Sequence, residues 1–226
     1  MRTLLLVLAM TVVVAGASMA ATATIDVYEG WNLIAPPLVP FDPDPASVFA
    51  DAAYGIDGGL VHEGPGGPWY YDEIDPDAFG KILLGDGYWL LAYEGQSLSY
   101  EGLESGVPDS TGKKTDMWIS LPGADGNGAW HMIGCPFAED IPVDSGAGVG
   151  DNILFTDGTD VKNWDEAVGA GWVDASMTTE NSFTGGVAVQ YDGLGTDEFL
   201  RAGSGYWIQT YVPNIAMIIP APADAE

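Results

Sequence analysis

The chain has 226 residues and a formal net charge of −27 at pH 7, with six Lys and Arg against 33 Asp and Glu. Such an acidic surface repels nucleic acid and anionic lipid, so neither is an expected partner. Hydrophobic residues form 47% of the sequence, which is enough for a folded core and argues against disorder. The one cysteine, Cys135, excludes an intrachain disulfide, and because it follows the apolar Met132 and Ile133 we expect it to be buried in a strand rather than reactive.

Residues 1–20 have the pattern of a signal peptide. Arg2 precedes an apolar run at 4–15, and small residues stand at Ser18 and Ala20. We therefore predict cleavage after Ala20 and a secreted, extracellular or cell-surface protein. The apolar run is shorter than the about 20 residues needed to cross a bilayer, and no second long run follows, so no transmembrane segment is predicted in the mature chain.

Short strands separated by turns are predicted through the first module, residues 21–104. Asp44 followed by Pro45 predicts an N-cap and the first residue of a short helix that continues over 46–53. Segments rich in glycine and proline predict the loops between strands. The predicted strands of this module are 21–29, 31–35, 60–61, 69–71, 88–93 and 97–100.

A second module is predicted at 116–220, after a turn-rich polar linker at 105–115. A helical turn is expected at 163–168, and residues 221–226 form a short acidic tail. The predicted strands of this module are 117–121, 130–135, 153–155, 172–173, 206–211 and 215–219.

Two short motifs occur once in each half of the chain. Gly30–Ile34 (GWNLI) corresponds to 130–134 (WHMIG), and 85–90 (GDGYWL) corresponds to 203–208 (GSGYWI). The glycines of the second motif are expected to permit positive φ before a strand. The interval between the motifs is longer in the second half, where 183–193 is expected to form an added strand or hairpin.

The repeat predicts an all-β protein of two tandem homologous modules, each a small β-sandwich or barrel-like unit with one short helix or helical turn. The paired motifs resemble repeat modules of secreted bacterial and archaeal surface proteins. That resemblance implies a β-rich extracellular module without catalysis, of a kind found beside adhesion-type or carbohydrate-linked domains.

Aromatic side chains are the first candidates for ligand binding. Tryptophans that recur in strands are expected to be core residues, because burying each one stabilises the fold by several kcal/mol. Aromatic residues in glycine-rich loops are better placed to stack on a sugar. These loop candidates are Tyr54, Trp69, Trp164 and Trp172.

Clusters of acidic residues are candidates for binding Ca²⁺, which takes six to eight oxygen ligands. Solvated loops are the alternative interpretation at this density of acids, and no cluster completes an EF-hand pattern. A His62, His131 and Cys135 metal or thiol site is a further, weaker alternative. The candidate calcium ligands are Asp72, Asp75, Asp77, Asp157, Asp160 and Asp165.

The function predicted from these features is that of a non-catalytic secreted structural, surface-assembly or adhesion module. Its expected partners are copies of itself, other envelope proteins or glycans. A carbohydrate-binding module that uses loop Trp and Tyr residues is the alternative, and a secreted hydrolase is the third hypothesis. The acidic charge adds two environmental hypotheses, a saline habitat or bound calcium, because either would relieve self-repulsion.

Overall fold

The computed structural model describes residues 20–50, 59–64, 67–72, 74–106, 108, 112–122, 128–143, 152–190 and 197–222. Residues 1–19 of the predicted signal peptide and the candidate Tyr54 lie outside these residues. The described part is mostly β-strand with three short helices, which confirms the all-β class. Within it, no helix has the length and apolar character needed to cross a membrane.

The elements of the first half run from β1 to β7 and include two helices. They are β1 (Ala20–Val27), β2 (Gly30–Ile34), β3 (Val39–Pro40), α1 (Pro45–Phe49), β4 (Leu60–Gly64), β5 (Gly67–Tyr70), α2 (Pro76–Phe79), β6 (Tyr88–Ala92) and β7 (Gln96–Leu103).

The elements of the second half run from β8 to β17 and include one helix. They are β8 (Met117–Leu121), β9 (Ala129–Gly134), β10 (Ile141–Pro142), β11 (Leu154–Thr156), β12 (Val161–Asn163), α3 (Trp164–Gly169), β13 (Ser176–Asn181), β14 (Gly185–Gln190), β15 (Phe199–Leu200), β16 (Gly205–Thr210) and β17 (Ile215–Ile219).

A central sheet runs through both halves in the order β5-β4-β6-β2-β13-β16-β9, with β14 added on β13. A sheet of order β1-β7-β3 packs on the first half of it, and one of order β12-β11-β17-β8 packs on the second half. Alternation along each strand sends one set of side chains into these two cores. The first core includes Ile25, Ile34, Tyr88, Leu90 and Leu98, and the second includes Ile119, Ile133, Tyr206, Ile208 and Met217.

The glycine turns of the repeated motif pass from one half of the chain onto the other. A Cβ placed on Gly87 would lie 2.6 Å from the carbonyl oxygen of Ile133, and one placed on Gly205 would lie 2.6 Å from that of Ile34. Real Cβ atoms do not approach so closely, so only glycine allows these two backbone crossings. The same motif therefore makes the same contact twice, each time with the opposite half.

Backbone hydrogen bonds complete these crossings. Gly134 donates to the carbonyl of Gly85 at 2.8 Å, and Ala35 donates to that of Gly203 at 3.0 Å. The first bond joins β9 to the turn before β6, and the second joins β2 to the turn before β16. Together with the pairing in the sheet, they close β6, β2, β16 and β9 into a ring to which both halves contribute.

Strand β14 (Gly185–Gln190) lies in the segment 183–193 that was predicted as an added strand or hairpin, and residues 191–193 lie outside the described residues. Hairpin β13–β14 pairs with β16 as hairpin β4–β5 pairs with β6, so the two hairpins occupy equivalent positions. Strand β11 pairs with β17 as β3 pairs with β7, so among the described residues the strands without a counterpart in the first half are β12 and the pair β10–β15. Residues 172–173, predicted as a strand, make only an isolated bridge from Val173 to Thr210.

Two helix starts follow from local capping. The Asp44 side chain accepts from the backbone of Ala46 with Pro45 in the first turn, as predicted, although α1 already ends at Phe49. Asn163 and Glu166 form a reciprocal capping box at the start of α3. In the predicted linker, Ser105 and Lys114 hydrogen-bond to backbone carbonyls of the second half, those of Pro136 and Pro222.

Candidate functional site

A groove lies on the face of the central sheet that points away from the two cores. We call it the aromatic groove; its cavity volume is about 420 Å³. Its lining combines aromatic rings with two carboxylates, a composition found in sites for small polar ligands. The lining residues are Trp31, Val61, Glu63, Tyr70, Trp89 and Glu180.

The groove is assembled from five strands by antiparallel register. On β2 and β6, Trp31 pairs with Leu91 and Leu33 pairs with Trp89, which places these residues on one face and Tyr88 on the opposite one. On β4, Val61 lies beside Trp89 and also pairs with Tyr70 of β5. The fifth strand, β13, comes from the second half and contributes Glu180.

The tryptophans of the groove form an edge-to-face pair. The ring centroids of Trp31 and Trp89 are 6.2 Å apart with an interplanar angle of 83°. Trp31 keeps 43% of its surface exposed and Tyr70 keeps 56%, so both rings are open to a ligand. Edge-to-face packing holds the Trp31 ring in place without covering it.

The two carboxylates occupy equivalent positions in the two halves. Val61 lies beside Trp89, and Thr178 lies beside Trp207. Glu63 and Glu180 each follow two residues later on the same face, because strand side chains alternate. The two equivalent glutamates therefore reach the same groove from different halves of the chain.

The structure brings none of the described loop candidates into the groove. Trp164 is fully buried, and its indole Nε1 donates to the carbonyl of Asp174 at 2.8 Å. No face of that ring is open to a ligand, so its assignment as a binding residue is corrected to a core residue. The ring of Trp172 packs against the second core, with the Lys162 ammonium 4.8 Å from its centroid.

Trp69 is exposed but faces the other side of its strand from Tyr70. It pairs with His62, and the two rings stack 5.8 Å apart. The Nδ1 of His62 donates to the carbonyl of Gly87 at 2.9 Å, which ties hairpin β4–β5 to the glycine turn. Trp69 thus supports the scaffold on the side away from the groove.

The candidate calcium ligands are exposed, and several carboxylates cap their own loops. Asp72 accepts from the backbone of Ile74, and Asp157 accepts from the backbones of Thr159 and Asp160. These bonds lower the pKa of Asp157. Asp75 precedes α2, Asp77 lies in its first turn, and Asp165 lies in the first turn of α3. In the described part of the chain, no group of three or more His, Cys, Asp or Glu side chains is placed to hold a metal, and calcium binding stays a prediction.

His131 and Cys135 are buried singly in the second half. The His131 Nε2 lies 3.0 Å from the hydroxyl of Thr210. Cys135 is fully buried, as predicted, with its thiol 3.7 Å from the carbonyl of Phe137. Burial raises the pKa of Cys135 to about 12, which keeps the thiol protonated and unreactive at neutral pH.

The burial of His131 predicts a pH-dependent stability. Burial lowers its pKa from 6.5 to about 4, so between these values the unfolded chain binds a proton that the folded chain does not. The contribution of neutral His131 to the free energy of unfolding is fully present above pH 6.5. It is lost as the pH falls from 6.5 towards 4, at about 1.4 kcal/mol for each pH unit. We expect the His131→Asn variant, which carries the residue found at the equivalent Asn32, to show a shallower fall in urea-unfolding free energy over this range.

The comparison of the two proteins cancels the carboxylates that titrate in the same range, since both carry the same acids. Equal slopes for wild type and His131→Asn between pH 6.5 and pH 4 would show that His131 does not carry this dependence.

The groove residues were missed because strand tryptophans were assigned to the core. The alternation in β6 does separate Trp89 from Tyr88, and it repeats in β16, where Trp207 alternates with Tyr206. That alternation indicated two different faces for the Tyr and the Trp of the motif. The alternation could not indicate that the face carrying the tryptophans is left exposed by the other elements of the fold. Comparisons with protein-family models, curated proteins and solved structures found no match to this chain.

Proposed function

We propose that the chain is a non-catalytic extracellular adhesion module that binds a neutral carbohydrate in the aromatic groove. The observation that carries this proposal is the joint presence of open aromatic rings and carboxylates in one cavity, from Trp31, Trp89 and Tyr70 with Glu63 and Glu180. Aromatic rings cover the apolar faces of sugar rings, and carboxylates accept hydrogen bonds from sugar hydroxyls.

The charge of the protein narrows the class of glycan. With a net charge of −27, the chain repels anionic polysaccharides before they reach the groove. Two glutamates in the groove add to this repulsion locally. A neutral glycan meets no such barrier, because its hydroxyls can donate to the same carboxylates.

Titration of the mature protein with neutral glycans selected on a glycan array tests the proposal. We expect Trp31→Ala to lower the affinity about tenfold or more, because it removes an exposed ring from the binding surface and leaves both cores intact. Trp69→Ala and Trp118→Ala are matched controls, since both residues are exposed tryptophans outside the groove, and both variants should bind as wild type does. Loss of binding in Trp69→Ala with full binding in Trp31→Ala would reject the groove.

The double variant Glu63→Gln, Glu180→Gln separates a neutral sugar from a cationic ligand. Glutamine keeps an oxygen acceptor but removes the charge, so a neutral sugar should lose only a few-fold in affinity with little salt dependence. Complete loss, together with strong salt dependence in the wild type, would identify a cation as the ligand.

Assembly with copies of itself or with other envelope proteins remains a separate prediction. The features that favour it are on the four-stranded sheet, where Trp118 on the edge strand β8 and Val161 on the edge strand β12 are both more than half exposed. Exposed apolar residues on unpaired edges are sites at which strands of another chain can add. The hydrolase hypothesis also remains a separate prediction, since glycoside hydrolysis uses a pair of carboxylates such as Glu63 and Glu180.

A further inference from the structure

We infer that the aromatic groove is one end of a binding face that extends across both halves of the chain, and that the ligand is a linear neutral glycan contacting both tryptophan pairs. The inference rests on the proposed function and adds to it the form and extent of the ligand. Its basis is a second tryptophan pair, Trp130 and Trp207, which lies outside the groove.

The second pair reproduces the geometry of the first. The centroids of Trp130 and Trp207 are 6.1 Å apart with an interplanar angle of 85°, against 6.2 Å and 83° for Trp31 and Trp89. Trp130 is 52% exposed, slightly more than Trp31. The duplication has therefore kept an open edge-to-face pair in each half, although exposed tryptophans contribute little to a core.

The register of β13 connects the second pair to the groove. Thr178 lies opposite Trp207, and Glu180, two residues further on the same face, lines the groove. Two residues of a strand span about 7 Å. The distance from Trp207 to the groove is thus of the order of one sugar ring, not of a separate site.

A second connection runs through Met132. The backbone N–H of Glu63 contacts the Met132 sulfur at 3.1 Å, and Met132 pairs with Trp207 across β9 and β16. Met132 is buried, and its contact with Glu63 joins strand β9 of the second pair to strand β4 of the groove. The groove and the second pair therefore lie on strands that contact each other.

The two ends of the binding face differ in the size of one side chain that borders them. Tyr70 closes the groove beside Val61, whereas Ala188 stands in the corresponding place beside Thr178. The first end is therefore enclosed and the second is shallow and open. Such a gradient suits a chain that is held at one end and continues past the other, so short glycans should contact the first end alone.

A series of oligosaccharides of increasing length tests whether the ligand contacts both tryptophan pairs. Soluble β-1,4-linked oligomers of glucose, mannose and N-acetylglucosamine, each from one to six residues, are titrated into the mature protein. We expect affinity for the bound series to rise roughly tenfold from the disaccharide to the longest oligomer. Trp207→Ala and Trp130→Ala should remove this rise while leaving disaccharide affinity unchanged, and Trp118→Ala should retain it.

The outcomes separate the two proposals. If Trp31→Ala abolishes binding but neither Trp130→Ala nor Trp207→Ala changes affinity for the longest oligomer, the extended face is rejected and the groove stands. If Trp130→Ala and Trp207→Ala lower the affinity for short and long oligomers equally, the extended face is also rejected. These residues would then act on the groove itself. If none of these oligomers binds but the array identifies another neutral glycan that does, the extended face is rejected for these linear chains and the groove stands; if the array also identifies none, both proposals fail. Thermal melting of each variant confirms that it is folded before its affinity is compared.

Discussion

We expect Gly205→Ala to lower the free energy of unfolding by about 3 kcal/mol or more, and Gly87→Ala to have a similar effect. The added Cβ would lie 2.6 Å from a backbone carbonyl oxygen of the opposite half, Ile34 or Ile133. A backbone atom paired in a sheet cannot move aside as a flexible side chain can. The variants must therefore break the crossings that close the ring.

Urea unfolding followed by tryptophan fluorescence measures this effect. Gly95→Ala and Gly169→Ala are the matched controls, because their added Cβ atoms meet nothing closer than 3.6 Å and neither needs a positive φ. Both controls should stay within about 1 kcal/mol of wild type. A loss for Gly205→Ala no larger than that of the controls would contradict the structural role assigned to the crossing.

Replacing Trp164 by alanine is the second substitution with a large expected effect, a loss of about 4 kcal/mol in unfolding free energy. Trp164 is fully buried beside Phe155, with ring centroids 5.8 Å apart, and its Nε1 donates to the carbonyl of Asp174. Its removal leaves a large cavity in the second core and an unpaired carbonyl. Chemical unfolding of the purified variant checks the value.

Trp130→Ala serves as the control for this experiment, since it removes the same side chain from a half-exposed position and should cost about 1 kcal/mol or less. Trp164→Phe restores most of the apolar volume but not the hydrogen bond, so it should fall between wild type and Trp164→Ala. If Trp164→Ala kept its stability and lost glycan binding instead, the original assignment of Trp164 to a ligand site would be right.

Capping and alternation were predictable because they depend on neighbouring residues. Asp44 caps α1 as predicted, and α3 overlaps the helical turn predicted at 163–168, with Asn163 as its cap. Strands β8 and β17 have the predicted bounds, since apolar runs with clear turns on each side specify a strand locally. The burial of Cys135 followed in the same way from its apolar neighbours, although it lies just after β9 and not in a strand.

The glycine motif was predicted only in part. Gly85 and Gly203 do have positive φ, at 90° and 84°, as a turn before a strand requires. The reason for Gly87 and Gly205 is different, because each is needed for contact with a strand distant in the chain. A sequence pattern marks the glycine but does not reveal which backbone passes over it.

The matching of the two hairpins also depended on the folded chain. The strand register places Val187 of β14 at the position of Trp69 in β5. Added elements such as β12 shift the spacing without shifting the sheet. Pairing along β13 and β4, not distance along the chain, therefore identifies equivalent residues.

The sequence was sufficient for the all-β class, the repeated motifs, the helix caps and the strand alternation, since each depends on residues close together in the chain. Which face of the tryptophan strands is covered depends instead on sheet pairing across the two halves. Trp89 lies in an apolar strand yet lines an open groove, whereas Trp164 lies between Asn163 and Asp165 yet fills a core. Burial is a property of long-range packing, so the folded structure alone distinguishes a binding tryptophan from a structural one.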